Sequence, residues 1–397
     1  MSPPSLRRPA LDGLRGLAAL VVVVHHAMLL SPHLGYFGRG QQVDLGSWSW
    51  WLTFTPVHLV WAGEEAVFVF FVLSGLVLAL PAASGKPIQW RSYYAQRLTR
   101  LYVPAITATA LSVVLIALVP RHPPATASHW LGFHTSPASM EDVLTTAMLV
   151  RGPTGINSAL WSLKWEVTFS LLLPVFVVLL IRVQRLVWLR LTALVVLIAL
   201  SSPMDHLYFL YLPIFGLGVV MAQNLAWLDR AGSALTALRP VARRAIAAGI
   251  ALLLMTRWWV PSSWGTSPWL VKVELLGTLL GACLLVWIFA STDIGRRIGT
   301  QRNIAWLGKR SFSLYLVHEP IVVTVAYLFG GTTNAALVLV IALPVSLLTA
   351  EVFGRLVETP SHRLAKRVGG LLRKKAPAGS GDTPSGVALT PLVAASS

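Results

Sequence analysis

Residues 11–26 read LDGLRGLAALVVVVHH, an apolar run with an arginine near one end and two histidines at the other. A stretch of this kind suits a hydrocarbon core of about 30 Å. Ionisable groups are costly at that depth, so they face a protein interior or a watery cavity. Arg15 and His26 are eleven residues apart. At ~100° and ~1.5 Å per residue they share one helix face, about 16.5 Å apart along the axis. His25 points roughly 80° off that face.

The rest of the chain follows the same pattern. Of its 397 residues 55% are hydrophobic and 12% charged, and mean hydropathy is +0.68. That charged fraction is about half of what an ordinary soluble domain carries, which makes this an integral membrane protein. Sixteen tryptophans fit the class, because indole rings favour the membrane–water boundary. Cys283 is the single cysteine, so no intramolecular disulfide forms.

Apolar segments at 11–31, 58–80, 100–119, 159–181, 186–201, 204–222, 243–260, 268–290, 311–329 and 335–357 predict an all-α fold of about ten transmembrane helices. The fifth to seventh are the weakest, being short or edged by Pro203, Pro213 and the Arg243/Arg244 pair. With both termini cytoplasmic, the inner segments hold 26 Lys and Arg and the outer loops only Arg39, Arg121, Arg151 and Arg257. The net charge of +17 is therefore a topology signal, and nucleic-acid binding is not expected. The first run reads as a retained helix rather than a cleaved signal, because nine further segments follow it. A surface helix is expected near 137–150. The domain reading is a transmembrane unit over 1–368 and a disordered cytoplasmic tail over 369–397, which is small, polar and Pro/Gly-punctuated.

Further stretches fall in order along the chain: AVFVFFVLSGLVLA at 66–79, QRLTRLYVP at 96–104, LWSLKWEVTFSLLLP at 160–174, GKRSFSLYLVHEP at 308–320 and VETP at 357–360. Together with the Arg–ten–His spacing of the first helix, these six segments resemble the acyltransferase-3 family of membrane O-acyltransferases. Leu76 and Phe312 stand where that family more often has Phe and Tyr, and Val103 precedes the proline of the third segment. The resemblance implies transfer of an acyl group, expected to be acetyl, from cytoplasmic acyl-CoA to a hydroxyl of a carbohydrate or glycolipid in a multi-pass bacterial inner-membrane protein.

That chemistry needs a base or nucleophile, cations for the donor's phosphates and donors for an oxyanion. His26 suits the first role, either as base or as acyl carrier. Arg15, Arg97 and Arg100 sit at cytoplasmic helix ends, the last two sharing a face, and suit the phosphates; the positive-inside rule alone would also put arginines there. Ser74 and Gly75 could meet the thioester or simply pack helices. Glu166, buried in an apolar helix, could orient His26, bind an acceptor hydroxyl or pair with Lys164. Tyr315 and His318 share a face and could line the donor passage or make structural hydrogen bonds. On the acceptor side the candidates are His25, Glu64, Glu65 and Trp161. Glu358 is expected to close the last helix or pair with an arginine. No metal or tightly bound cofactor is expected, since HExxH, CxxC and glycine-rich phosphate loops are absent from the sequence. Acyl-CoA is then a co-substrate, and membrane lipid and the glycan acceptor are the other partners. A transporter using intramembrane His, Glu and Arg as a substrate or proton pathway is the alternative class.

Overall fold

A backbone in lipid must satisfy its own hydrogen bonds, and the helix is the solution for segments this apolar. In the computed structural model, residues 8–34, 44–135, 138–149, 154–182, 186–201, 207–259 and 267–373 are described, and among them the ordered elements are all helical. The main helices are α1 (Pro9–Met28), α2 (Gly63–Ala83), α3 (Trp90–Leu118), α4 (Met140–Met148), α5 (Trp161–Phe176), α6 (Val187–Leu200) and α7 (Leu207–Gln223). They continue with α8 (Leu225–Ala237), α9 (Pro240–Leu254), α10 (Pro268–Ser291), α11 (Arg302–Leu328), α12 (Ala335–Phe353) and α13 (Thr359–Leu371).

Among the described residues each of the ten apolar segments is largely helical. Among the described residues seven helices are long and apolar enough to cross a membrane, or eight if α7 and α8, bent by 78° at their junction, form one broken span. The shortfall falls on the three segments with the weakest sequence signal. At ~1.5 Å per residue the 14 residues of α6 reach only about 21 Å, short of a full hydrocarbon core. The expected surface helix is α4, whose Ser139 cap accepts the Asp142 N–H at 3.0 Å. Of the tail expected over 369–397, residues 369–371 end α13, and those beyond 373 lie outside the described residues.

α1 lies along both α11 and α2, α2 lies on α7, and α11 on α12, while α13 folds back onto α3. Between lipid-exposed helices the hydrophobic effect supplies little attraction, so close backbone approach carries the packing. The glycines around Arg15 serve this end. A Cβ on Gly16 would run into the backbone of Leu307 and Gly308, and one on Gly13 into Gly299. LDGLRG therefore seats α1 against the start of α11, holding Arg15 beside the chain at 308–312.

α12 and α13 are joined by a π-helical turn over Gly354–Glu358, a second such turn following α5. π-turns add a residue to a helix and redirect its side chains, which is why they recur at functional sites. Here the turn carries Glu358, whose carboxylate accepts the Ser313 hydroxyl at 2.5 Å.

Candidate active site

α1, α2, α3, α5, α11 and the π-turn enclose a cavity of about 510 Å³. Five cations (Arg15, Arg97, Arg100, Lys309 and Arg310) line it against three carboxylates, Asp12, Glu166 and Glu358. Several of these charges are committed. Arg310 forms a two-pronged ion pair with Glu351 at 2.6 and 3.0 Å, and Arg15 lies 3.6 Å from Asp12. Arg97 is ion-paired with Glu166 and donates to Ser170 Oγ at 3.1 Å. Arg100 and Lys309 are exposed, and among the described residues neither forms an ion pair. They are the cations left to take an anionic ligand at the cavity mouth.

The cavity's inner wall carries Ser74, Phe70, Ser162 and Tyr315. The Tyr315 hydroxyl donates to the Ala159 carbonyl at 2.8 Å and accepts from Ser162 Oγ at 2.6 Å. Its ring meets Phe70 edge to face at 5.7 Å, and a small apolar cluster of Ala18, Val22, Ala66, Ala159 and Tyr315 fills the space behind. This plug includes Val22 and Tyr315, one helical turn from His26 and His318 on their helices, and neither histidine lines the cavity. Arg15 and His26 lie on one face of α1, as their spacing requires, yet only Arg15 lines the cavity.

Beyond the plug His26 and His318 meet nitrogen to nitrogen, Nδ1 to Nε2, at 3.0 Å. Both are buried. His26 Nδ1 also faces the Val22 carbonyl at 3.0 Å, while His318 Nδ1 faces the carbonyls of Leu314 and Tyr315 at 3.1 and 2.9 Å. The indole of Trp130 lies 5.5 Å from the His26 ring. On the next residue Glu319, fully buried, accepts from His134 Nε2 at 2.6 Å, from the Ser158 N–H at 2.8 Å and from the Ala159 N–H. His134 Nδ1 in turn faces the Trp130 carbonyl at 2.8 Å. A buried carboxylate must be paired and hydrogen-bonded, and Glu319 is both.

The sequence-derived candidates divide accordingly. Arg15, Ser74, Arg97, Arg100, Glu166 and Tyr315 come together at the cavity. His318 is on the histidine cluster with His26 instead. Glu166 pairs with Arg97, not with Lys164, whose ammonium lies over the rings of Trp165 and Tyr208. Gly75 is a packing position, because a Cβ there would collide with the Phe215 carbonyl on α7. His25 turns from the cluster to the Trp61 carbonyl at 3.0 Å and stacks on that indole. Nearby, Glu65 accepts the Trp258 indole N–H at 2.9 Å and Glu64 pairs with Arg257. Trp161 packs on Tyr211 and Phe71. Sequence reasoning missed Glu319 and His134. The signal for Glu319 was its place in an apolar helix beside His318; His134, in a connection, gave none.

A helical membrane bundle with a cationic cavity at one end of a buried histidine pair is the frame of a membrane acyltransferase. A family model described as an acyltransferase domain matches residues 8–353, and the chain belongs to this family, the acyltransferase-3 family. Acyltransferase MdmB of Streptomyces mycarofaciens is 28% identical over 405 residues, which cover 92% of this chain and 95% of that protein. No solved structure matches the chain.

Proposed function

We propose that the protein moves an acyl group, acetyl by expectation, from cytoplasmic acyl-CoA to a hydroxyl of a carbohydrate or glycosylated acceptor in the bacterial inner membrane. The observation that carries this reading is the cavity's unpaired cations, Arg100 and Lys309, at the end of the bundle whose inner wall backs onto His26. Both termini are cytoplasmic in this reading, which fits the distribution of Lys and Arg and opens the cavity toward the acyl-CoA pool. Phosphates of the donor engage Arg100 and Lys309, and Arg15 and Arg97 stand further in with carboxylates that exchange partners when an anion arrives. The pantetheine arm carries the thioester past Tyr315, whose plug must part for the acyl carbon to reach His26.

At His26 the acceptor O–H loses its proton to the imidazole as the oxygen bonds to the acyl carbon. The C–S bond breaks, and the thiolate takes the proton back, leaving an ester, free CoA thiol and a neutral imidazole. In the covalent route the imidazole nitrogen bonds to the acyl carbon first, the thiolate leaves, and the acceptor oxygen then displaces the imidazole while its proton passes to the thiolate. Both routes need one unprotonated ring nitrogen on His26. Incubating membranes that contain the purified protein with ¹⁴C-acetyl-CoA tests the reading, with label expected in the base-labile glycan or glycolipid fraction. Substrate flux across vesicles without acyl-CoA, and no label transfer, would support a transporter instead.

A further inference from the structure

An imidazole acting as base or acyl carrier must present a lone pair, so the placement of its single proton decides whether it works. The carbonyls of Leu314 and Tyr315 can only accept, so His318 carries its proton on Nδ1. In a neutral ring its Nε2 is then an acceptor, and this atom faces His26 Nδ1 at 3.0 Å. The Val22 carbonyl, also an acceptor, faces the same His26 atom. Both neighbours therefore ask for a proton on His26 Nδ1. The opposite arrangement would set the His26 Nδ1 lone pair against the Val22 carbonyl and require a doubly protonated His318 in a site with no exposure.

We propose that His318 is a positioning residue that locks His26 in its Nδ1–H form and so leaves the Nε2 lone pair for the reaction. The inference rests on the reading that His26 is the base or acyl carrier, and it serves both routes. Glu319 does not take this role, because its oxygens already accept from His134, Ser158 and Ala159. His26 is thus oriented by a neutral imidazole where an Asp or Glu often stands. When His26 gains a proton at Nε2, its Nδ1–H strengthens its bond to His318, and the charge is shared across the two rings. Among the described residues no partner occupies His26 Nε2.

The test compares His318→Gln, His318→Asn and His318→Ala in the full-length protein, with ¹⁴C-acetyl-CoA as donor and the native glycolipid fraction as acceptor. A glutamine amide oxygen reaches the place of the imidazole Nε2, whereas an asparagine stops at that of Nδ1. His318→Gln is expected to keep kcat within about tenfold, while His318→Asn and His318→Ala lose about 10²–10³-fold, the span of a general-base contribution, with KM for acetyl-CoA unchanged. Equal activity of the Gln and Asn variants, or a raised KM with kcat intact, would overturn the proposal. Loss of activity in His26→Ala separates the two claims: its retention would sink the underlying reading, whereas an inactive His26→Ala beside a fully active His318→Ala would sink only this one. The same inference is read without mutation of His318 by ¹⁵N NMR of histidine-labelled protein, with His26→Gln assigning the signal. A protonated Nδ1 on His26 supports the proposal even if the variants fail to fold, and a protonated Nε2 overturns it.

Discussion

Glu319→Gln replaces one carboxylate oxygen by an amide nitrogen, which can only donate. The native carboxylate meets three donors: His134 Nε2 and the Ser158 N–H on one oxygen, the Ala159 N–H on the other. In the less costly orientation the amide nitrogen faces Ala159, which orphans one buried N–H at about 1–3 kcal/mol. The same change removes the negative partner of His134, and breaking a buried ion pair costs about 3–5 kcal/mol. The loss is placed near the lower end of that range, about 3 kcal/mol. Equilibrium unfolding in mixed detergent–SDS micelles reads it directly. A double-mutant cycle with His134→Gln sharpens the result, because removing either partner breaks the same pair; the double variant should fall short of the summed losses by at least about 1 kcal/mol. A loss under about 1 kcal/mol for Glu319→Gln, or strict additivity, would refute the assignment of Glu319 and His134 as a buried ion pair.

Removing the charge of Arg100 or Lys309 (each to Ala) should raise KM for acetyl-CoA about fivefold, the effect of roughly 1 kcal/mol at an exposed site, with kcat nearly unchanged and the difference shrinking in high salt. Gly75→Val should cost about 1–3 kcal/mol or more in unfolding assays, since its Cβ meets the Phe215 carbonyl, whereas Ser74→Ala should leave stability within about 0.5 kcal/mol. By contrast with Glu319, Glu64→Gln breaks an ion pair whose side chains are 41% and 44% exposed, and its effect on unfolding should stay below about 1 kcal/mol.

Hydropathy made the helices legible, because lipid leaves a chain few other choices, and it also marked as weak the segments that proved too short to cross alone. The register of Arg15 and His26 was legible for a similar reason: helix geometry alone fixes which residues share a face. Sequence spacing does not show what other helices bring between two residues, so Ala66 and Tyr315, which complete the apolar plug with Val22, were invisible to it. Pairing across long separations was equally hidden. Glu166 finds Arg97, 69 residues away, and Glu319 finds His134 at a separation of 185. The rule that a carboxylate in an apolar helix needs a partner singled out Glu166, and it applies with equal force to Glu319. His134 lies outside the helices, in a connection where burial follows only from tertiary packing.

In the proposed reaction His26 is the group that handles the acyl transfer. The most direct measurement is a single-turnover assay of His26→Ala with saturating ¹⁴C-acetyl-CoA, paired with equilibrium binding of the same donor. Donor affinity close to that of the unaltered protein, with label transfer lost by at least about 10²-fold, is the predicted result. Transfer at an undiminished rate in that variant would contradict it.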